Sequence, residues 1–487
     1  MMNMAESYPK IVLVNAPMSR RMLQASFEEI ANILPPLGIG YVAAVLEQNG
    51  FNVKIIDCLP TQMSTDELVE ELKKDAPDLV GFTSTTLFIM PTIEAAQKIK
   101  KEIPNAIITL GGAHVTALPH EAMQNGCFDI GVIGEGEYTT LEIAQAMGKA
   151  KGKITPAILK EIKGTVFRDK SGKLVFASPR PYIQDLDSVP FPARHLFPGP
   201  EKYSPVPASC RKLPYMHLMS SRGCPYRCIF CDKRIFGNTV RMRSPKNVVD
   251  EIGQMVKDYR VKEVRFFDDT FTFDEKRTIA ICDEIIRRKL GVIWTAITRV
   301  NHVSPVLLKK MKEAGCWQIS FGLESGSQKI LNIMRKGITL EQSRNAINWT
   351  KKAGMGTRAY FVFGMPGETK ETIKETVEFA KSLPLDVVTF YNVTLLPGND
   401  LYEIARREGK ILHDDYTNYN PSIDGETKFA YVPKDMTEDE LRNCVVQAHK
   451  DFYLRPGYIL RELFSARSLF DLVRYWRGFK VIVKMGH

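Results

Sequence analysis

The stretch SRGCPYRCIFCDKRIFG, residues 221–237, carries three cysteines within eight residues. They are Cys224, Cys228 and Cys231, and the other six of the nine cysteines are scattered along the chain. The C-x3-C-x2-C spacing differs from the common zinc patterns, which pair two C-x2-C units or add histidines. Three thiolates on one loop suit a 4Fe–4S cluster that leaves one iron open to a further ligand. A structural zinc ion with a distant fourth ligand is the alternative.

A regular alternation of strand and helix patterns surrounds this loop. The segment YMHLMS (215–220) is typical of a buried strand that runs into the cysteines. Five further strand patterns follow, each with a helical or loop return: EVRFFDDTF, VIWTAITRV, QISFGLESGS, TRAYFVFGMPGE and VVTFYNVTLLPG. Six βα units with polar motifs at the strand ends predict a TIM-like partial (β/α)6 barrel over residues 210–400.

The first 150 residues alternate in the same way. Apolar runs such as KIVLVNAP (10–17) and NVKIIDC (52–58) alternate with helical patterns, which predicts a doubly wound, Rossmann-like α/β domain with its ligand at the carboxyl ends of the strands. Residues 151–209 predict a β-hairpin, with Ser171 and Gly172 in its turn, and then a proline-rich linker. Residues 401–487 predict a helical region with a basic end.

The composition is that of a folded globular protein of two or three domains: 487 residues, 44% hydrophobic and 25% charged. No signal-peptide pattern opens the chain and no apolar run reaches the roughly 18 residues of a membrane-spanning helix, so we expect a cytoplasmic protein. Nine cysteines in a chain of this length do not indicate a disulfide framework. The net charge of +10 fits anionic ligands and does not by itself indicate nucleic acid.

The cysteine loop also supports a family resemblance. CPYRCIFC, with Phe230 just before the last cysteine, resembles the cluster motif of the radical S-adenosylmethionine (SAM) superfamily, and the resemblance extends over residues 210–400. It implies that Cys224, Cys228 and Cys231 bind three irons, while the amino and carboxylate groups of SAM chelate the fourth. An electron from a flavodoxin or ferredoxin would then cleave SAM to methionine and a 5′-deoxyadenosyl radical, which abstracts a substrate hydrogen.

Motifs at later strand ends extend this resemblance to SAM. FFDDTF (266–271) lies where many members carry a Gly-Gly-Glu motif, FGLESGS ends the fourth strand, and residues 364–368 resemble the turn near the adenine. The resemblance therefore implies the following SAM contacts: Phe230, Asp268, Asp269, Glu324, Ser325, Arg358 (to the SAM carboxylate) and Gly364. The alternative for Asp268, Glu324 and Glu368 is that they are helix-capping or loop carboxylates.

The N-terminal domain resembles the cobalamin-binding module of one large radical SAM subclass. The resemblance is carried by PPLGIGYVAAVLEQNGFNV, TSTT, LGGAH and GEGE. It implies cobalamin contacts from Thr83, Ser84, Thr85, Gly111, Gly112, Gly134 and Glu135. Glycines let the backbone approach a large flat ligand, and hydroxyl groups can donate hydrogen bonds to its amides.

This domain departs from one cobalamin pattern. Domains that ligate cobalt through histidine carry D-x-H-x-x-G after the first strand, whereas here the loop reads NAPMSRRMLQASF (15–27), without histidine. We therefore expect no protein histidine on the lower face of cobalamin, and loss of cobalamin altogether stays open because fold does not determine function. His114, after a later strand, is expected at the cofactor edge or on the surface.

The C-terminal segment YILRELFSARSLFDLVRYWRGFKVIVK (458–484) mixes apolar and basic residues. Its basic members are Arg461, Arg467, Arg474, Arg477, Lys480 and Lys484. Such a helix can lie on an anionic membrane surface, or it can pack on the barrel with solvated arginines. Both interpretations are open from sequence.

These patterns together predict an enzyme with a 4Fe–4S cluster, SAM and cobalamin. The resemblance favours a methyltransferase that acts on an unactivated carbon of a small-molecule or lipid-like substrate. One alternative is an oxidative cyclase similar to the anaerobic magnesium-protoporphyrin IX monomethyl ester cyclase. Another is a non-catalytic regulatory protein that binds cobalamin and a cluster. Modification of nucleic acid is not expected, because no appended RNA-binding barrel follows residue 400.

Overall fold

The computed structural model describes residues 9–18, 33–150, 152–408, 411–412, 416, 429–465, 478 and 480. These residues form two compact units. The first consists of the described residues up to Ser204 together with Asp232–Arg241. The second consists of Pro205–Cys231 and the described residues from Met242 onward. None of the described helices combines the length and the apolar character that crossing a bilayer requires.

One seven-stranded sheet forms the frame of the first unit. Its strands are β1 (Ile11–Asn15), β2 (Val53–Asp57), β3 (Leu79–Thr83), β4 (Ile107–Gly111), β5 (Ile130–Val132), β6 (Thr165–Arg168) and β7 (Leu174–Phe176). The strand order is β2-β1-β3-β4-β5-β6-β7, and β1 to β5 are parallel. Their apolar runs are almost entirely buried, as in parallel sheets covered by helices on both faces. The predicted Rossmann-like architecture is confirmed.

The hairpin predicted after residue 151 is also present. β6 and β7 pair antiparallel, and Gly172 adopts a φ of +83° in the connecting turn, a value that favours glycine. β6 in turn pairs antiparallel with β5, through Gly131 and Val166. The hairpin therefore extends the edge of the same sheet.

Helices complete the first unit. They are α1 (Leu37–Gln48), α2 (Cys58–Thr61), α3 (Thr65–Asp75), α4 (Ile89–Glu102), α5 (Ala113–Ala117), α6 (Pro119–Ala122), α7 (Glu137–Lys149) and α8 (Pro156–Glu161). α3 begins at a capping box in which Ser64 Oγ accepts from Glu67 N and Glu67 Oε2 accepts from Ser64 N. Val45 of α1 and Ile143 of α7 share one buried cluster with Leu13 of β1, which holds these helices on the sheet.

A six-stranded parallel sheet forms the frame of the second unit. Its strands are β8 (Tyr215–Leu218), β11 (Glu263–Phe266), β12 (Ile293–Thr298), β13 (Cys316–Glu324), β14 (Gly356–Phe363) and β15 (Val387–Asn392); the two-residue strands β9 (Ser221–Arg222) and β10 (Arg241–Met242) come between β8 and β11 in the chain. The strand order β8-β11-β12-β13-β14-β15 follows the chain, with every neighbouring pair parallel. This is the predicted partial barrel.

Helices return the chain between these strands and form the C-terminal region. They are α9 (Pro245–Tyr259), α10 (Glu275–Arg288), α11 (Pro305–Glu313), α12 (Gln328–Ile333), α13 (Leu340–Lys352), α14 (Lys370–Ser382), α15 (Asp400–Glu408), α16 (Glu438–Tyr453) and α17 (Pro456–Ser465). α9 begins at a side-chain cap, since Ser244 Oγ accepts from Asn247 N at 3.2 Å. The helical C-terminal region is confirmed for the described residues.

Alternate residues of the barrel strands face the helices and the lumen. Phe361 of β14 and Phe390 of β15 are buried with ring centroids 5.3 Å apart, and Phe390 also contacts His449 of α16. These residues therefore face the helices. Tyr360, which precedes Phe361, and Tyr391, which follows Phe390, point to the opposite face and are partly exposed. The lumen of the barrel is thus open to solvent at this level.

Candidate active site

The cysteine loop follows β9 in the second unit. Gly223 enters it with a φ of +91°. Cys224 is half-buried, Cys228 is buried and Cys231 is exposed, and the thiols of Cys228 and Cys231 are hydrogen-bonded to one another. Across the described ranges, no three His, Cys, Asp or Glu side chains converge closely enough to hold a metal ion in this arrangement. The assignment of three irons to these cysteines stays a prediction.

Hydrogen bonds from elsewhere in the second unit fix the main chain of this loop. Ile229 N donates to Met334 O at 3.1 Å, and Leu401 N donates to Ile229 O at 2.9 Å. Asn399 Nδ2 donates to Phe230 O, also at 2.9 Å. The backbone between Cys228 and Cys231 is therefore held in place by the protein itself.

Two cations lie beside Cys228. Arg299 Nη1 is 3.8 Å from Cys228 Sγ, and its guanidinium lies 3.6 Å from the ring centroid of Tyr226. Lys336 Nζ is 5.9 Å from the ring centroid of Phe230. The hydrogen bond with Cys231, together with the charges of Lys336 and Arg299, outweighs burial and lowers the pKa of Cys228. This environment favours a thiolate at Cys228, whereas the same hydrogen bond raises the pKa of Cys231. The two cations beside Cys228 fit an anionic iron–sulfur cluster.

Sequence reasoning missed both cations. Arg299 directly follows the end of β12 at Thr298. Predicted site residues on other barrel strands occupy the same kind of position. Lys336 follows α12 in a connecting segment, and Arg299 Nη2 donates to its carbonyl oxygen. A basic residue just after a barrel strand was a usable signal for Arg299, whereas no local pattern indicated Lys336.

Asp268 and Asp269 follow β11, but only Asp268 is buried. Its carboxylate accepts hydrogen bonds from Ser220 N at 3.1 Å, from Ser220 Oγ at 2.8 Å and from Ser221 Oγ. Asp268 thus holds the turn that leads from β8 into the cysteine loop. Its predicted contact with SAM, and that of the exposed Asp269, stay predictions.

Glu324 and Ser325 lie at the carboxyl end of β13. Glu324 has a φ of +63°, and its carboxylate pairs with Lys336 Nζ at 2.5 Å, with both side chains 8% exposed. Ser325 Oγ lies 3.0 Å from Thr376 Oγ1 and accepts from Ser327 N. The structure thus gives Glu324 an ion-pair partner next to the cysteine loop, and the SAM contacts of both residues stay predictions.

The turn after β14 contains a buried carboxyl group. Gly364 has a φ of +89°, and its N–H and that of Met365 donate to Glu368 Oε2 at 2.5 and 3.0 Å. Glu368 Oε1 has no hydrogen-bond partner among the described residues. Burial raises the pKa of Glu368 to about 8 despite the two backbone hydrogen bonds. The turn at Gly364 is therefore organised around a carboxyl group that readily keeps its proton.

The structure brings most of the predicted SAM contacts to one edge of the barrel sheet. Glu324 is the last residue of β13, and Asp268 and Gly364 lie just beyond the carboxyl ends of β11 and β14. Arg358 is different, because it is the third residue of β14, five residues before Phe363. Its Nη2 lies 3.4 Å from Thr389 Oγ1, and its Nη1 donates to Ser209 Oγ. Its predicted contact with the SAM carboxylate stays a prediction.

The predicted cobalamin contacts lie together at the carboxyl edge of the sheet in the first unit. Thr83–Thr85 end or follow β3, and Ser84 N donates to Gly111 O at 3.1 Å. Gly112 has a φ of +99°, and an added Cβ would lie 2.7 Å from Ser84 O. A Cβ added at Gly134 would meet nothing within 4 Å. Gly112 thus allows a close approach between segments of the protein, whereas the open space at Gly134 fits a large flat ligand. The cobalamin contacts stay predictions.

Glu135 has a partner within the same unit. Its carboxylate accepts from Arg241 Nη1 at 2.9 Å and from Ile183 N at 2.7 Å. The side chains of this ion pair are 2% and 5% exposed. Glu135 thus anchors Arg241 in the first unit, and its predicted cobalamin contact stays a prediction.

His114 is not a surface residue, so that part of the expectation is wrong. It is 1% exposed, and its Nδ1 lies 3.4 Å from Thr86 Oγ1. Burial lowers its pKa to about 4, which keeps the ring neutral at ordinary pH. The histidine-free loop after β1 falls largely outside the described residues, which resume at Ile33.

The beginning of the basic C-terminal segment packs on the barrel unit. Arg461 Nη2 donates to Leu385 O at 2.6 Å, and Tyr458 Oη donates to Asp386 O at 2.6 Å. Four of the basic residues noted above lie outside the described residues, namely Arg467, Arg474, Arg477 and Lys484. Packing explains the start of this segment, and membrane contact stays a prediction.

Glu368 predicts a pH-dependent loss of stability. Its folded pKa of about 8 lies above the usual glutamate value, so its contribution is fully present below the unfolded pKa and is lost as the pH rises through about 8. The free energy of unfolding falls by at most about 1.4 kcal/mol per pH unit in this range. Urea denaturation of the apoprotein should show this decline between pH 5 and 8, and a flatter profile in Glu368→Gln. The exposed Glu375→Gln is the control; equal slopes in all three proteins would contradict the assignment.

The Glu324–Lys336 pair predicts strong coupling in a double-mutant cycle. Lys336→Met leaves the Glu324 carboxylate buried without its partner, so we expect a destabilisation of about 3–5 kcal/mol. Glu324→Gln combined with Lys336→Met should cost clearly less than the sum of the single changes. Lys246→Met, at a pair with a 79% exposed lysine, should cost less than about 1 kcal/mol. Additive single changes, measured by urea denaturation, would show that the pair is not coupled.

Comparison with known proteins gives the chain its family. The model of the radical SAM superfamily matches residues 218–380, and that of the B12 binding domain matches residues 24–144. An uncharacterized methyltransferase of Pyrococcus horikoshii is 35% identical over 446 residues, 91% of this chain and 93% of the relative. The anaerobic magnesium-protoporphyrin IX monomethyl ester cyclase of Rubrivivax gelatinosus is 30% identical, covering 88% and 76% of the two chains.

A solved structure shares the fold of the chain. The radical SAM methyltransferase TsrM of Kitasatospora setae, solved with cobalamin and a 4Fe–4S cluster, superposes with a TM-score of 0.70 at 18% identity and covers 98% of both chains. Both expected folds are thus found in one known protein. With the family matches and the three-cysteine loop, these similarities show that the chain belongs to the radical SAM superfamily, in the subclass with a B12-binding domain, whose cofactors are a 4Fe–4S cluster, SAM and cobalamin.

Proposed function

We propose that this enzyme methylates an unactivated carbon of a small-molecule substrate. The observation that carries the proposal is the 35% identity to a protein named as a methyltransferase, which extends over 93% of that relative and therefore over both family domains. The cysteine loop and the cations beside Cys228 support the radical part of the reaction. The predicted division assigns residues 1–150 to cobalamin, and residues 210–400 to the cluster and SAM.

The proposed reaction balances as follows. One SAM gives its methyl group to the substrate carbon and leaves as S-adenosylhomocysteine. A second SAM is cleaved to methionine and 5′-deoxyadenosine, which carries away the hydrogen removed from that carbon. Two electrons from an external reductant of the flavodoxin or ferredoxin kind complete the balance. When bound, the cluster supplies the electron for SAM cleavage and cobalamin supplies the methyl carrier.

The chain's own residues bind and position the reacting groups in this proposal. Cys224, Cys228 and Cys231 would supply the cluster ligands, while Arg299 and Lys336 offset negative charge at Cys228. Asp268 fixes the turn that leads into the loop through its hydrogen bonds with Ser220 and Ser221. In the first unit, the backbone at Gly112 and the hydroxyl groups at Thr83–Thr85 would help to hold cobalamin.

Oxidative cyclisation is a second candidate, because the Rubrivivax cyclase is 30% identical over 88% of this chain. Both candidates use the same cluster loop and the same two domains. They differ in the fate of SAM, since methyl transfer must release S-adenosylhomocysteine whereas cyclisation need not. The products of SAM therefore separate the two.

Anaerobic reconstitution with iron and sulfide, with and without cobalamin, tests the proposal. With reductant, we expect 5′-deoxyadenosine in both preparations and S-adenosylhomocysteine only when cobalamin is present, both measured by mass spectrometry. 5′-Deoxyadenosine without S-adenosylhomocysteine in the cobalamin-loaded enzyme would contradict methyl transfer and favour the cyclase.

A cysteine variant checks the cluster assignment in the same assay. Cys228→Ala should abolish both the visible absorption of the cluster and all SAM cleavage, because three thiolates are needed to hold it. Cys444→Ala, at a half-buried cysteine of α16 outside the loop, is the matched control and should retain both. SAM cleavage that persists in Cys228→Ala would overturn the assignment.

A further inference from the structure

Two arginines extend into the lumen of the barrel, below the strand ends. Arg265 lies on β11 and Arg358 on β14, and each is 7% exposed. β12 and β13 separate these two strands in the sheet. Arg265 Nη2 nevertheless lies 3.4 Å from the hydroxyl of Tyr360 on β14. The side chain of Arg265 therefore crosses the lumen, and Arg358 shares the lumen face with Tyr360 two positions along its strand.

Neither arginine is seen to pair with a carboxylate among the described residues. Arg265 contacts the Tyr360 hydroxyl and lies 4.9 Å from the ring centroid of Phe267. Arg358 contacts hydroxyl groups of Ser209 and Thr389. Burying a charge without a counter-charge is costly, so two such guanidinium groups in one lumen call for an explanation.

The nearest carboxylate along β11 is already engaged. Glu263, two positions before Arg265, accepts from Arg211 N at 2.7 Å and from Lys212 N at 2.8 Å. It also accepts from Trp317 Nε1 at 2.9 Å. Through these three hydrogen bonds, Glu263 fixes the segment that precedes β8 and one residue of β13. No ion pair between Glu263 and Arg265 is seen among the described residues.

Unsatisfied polar atoms gather around the two arginines. Arg265 pairs in register with Thr295, and Thr295 with Gln318, on three neighbouring strands. Arg265 Nε, Arg358 Nε, Thr295 Oγ1 and Gln318 Oε1 are all buried, and none has a hydrogen-bond partner among the described residues. Buried polar groups are nearly always hydrogen-bonded. These four atoms are therefore hydrogen-bonding groups that the described part of the protein leaves without a partner.

A ligand has access to this level. Tyr360 and Val362 of β14 and Thr389 and Tyr391 of β15 are partly exposed on the lumen face. Burial alone would raise the pKa of Tyr360, yet the charges of Arg358 and Arg265 lower it. The partial exposure of these side chains gives a ligand access to the lumen. The effect of the two arginines on Tyr360 shows an excess of positive charge there.

We propose that Arg265 and Arg358 bind an anionic group of the substrate, a carboxylate or a phosphoryl group, inside the barrel lumen. The proposal rests on the proposed function, because it names the substrate class of that reaction. Guanidinium groups bind both kinds of oxyanion through paired N–H donors, and the hydroxyl of Tyr360 adds a further donor.

The position of Arg358 also sets the length of the substrate. Arg358 lies five residues before the end of β14 at Phe363, which corresponds to about 17 Å along a strand. The substrate accordingly places its anionic end deep in the lumen and its reacting carbon nearer the strand ends. This role differs from the SAM-carboxylate contact that sequence resemblance implied for Arg358.

Isothermal titration of the full-length protein, reconstituted with cluster and cobalamin and saturated with SAM, tests the site. The probes are sodium phosphate, sodium propionate and neutral propionamide. The wild-type protein should bind at least one anion and not propionamide. Arg265→Gln and Arg358→Gln should each weaken that binding by about tenfold or more. Tighter binding of phosphate assigns a phosphoryl group, and tighter binding of propionate assigns a carboxylate.

Two controls keep the test decisive. Arg287→Gln removes an arginine that is 69% exposed and paired with Glu284, and it should leave anion binding unchanged. If a lumen variant does not fold, phenylglyoxal modification of the wild-type protein replaces it, with phosphate or propionate expected to protect Arg265 and Arg358 in peptide mapping. No anion binding by the wild type, or equal binding by the variants, would overturn the proposal.

SAM affinity separates the two roles of Arg358. Equilibrium dialysis that shows weakened SAM binding in Arg358→Gln but not in Arg265→Gln, with anion binding intact in both, would assign Arg358 to SAM and overturn the paired site. The titration does not depend on methyl transfer. A protein that binds anions in the lumen but releases no S-adenosylhomocysteine would contradict the proposed function and leave the lumen site supported.

Discussion

The cysteine loop depends on the two cations beside the buried Cys228, Arg299 and Lys336, which lower the pKa of its thiol. A buried thiol ordinarily keeps its proton, so a loop that mounts an iron–sulfur cluster needs positive charge close by. Arg299 comes from the end of β12, and Lys336 from the segment after α12, where it also pairs with Glu324. The parallel sheet makes this possible, because its strand ends deliver side chains from distant parts of the chain to one edge.

The architecture could be predicted from sequence because its signals are local. Apolar runs and strand-end motifs predicted both sheets, and the cysteine spacing identified the loop. Lys336 could not be found, because only the folded chain brings it near Cys228. For Glu135, the local motif suggested a cofactor contact but gave no sign of its protein partner. That partner is Arg241, 106 positions away in the sequence. His114 was expected near a cofactor or the surface, and burial in the first unit could not be read from its neighbours.

Two kinds of buried charge coexist in the barrel unit, and they have different consequences. Glu324 and Lys336 neutralise each other at the carboxyl edge, so that pair contributes to the geometry of the site. Arg265 and Arg358 contact hydroxyl groups and rings instead, so their charge stays available to a ligand. We infer that the first arrangement supports the cysteine loop and that the second contributes to the choice of substrate.

Electron paramagnetic resonance of the anaerobically reconstituted, reduced enzyme tests whether the loop of Cys224, Cys228 and Cys231 holds a cluster with one iron open to SAM. We expect the signal of a reduced 4Fe–4S cluster whose g-values change when SAM is added, because SAM would chelate the iron that no cysteine holds. A cluster signal that is indifferent to SAM, or a preparation that binds zinc in place of a cluster, would contradict this expectation.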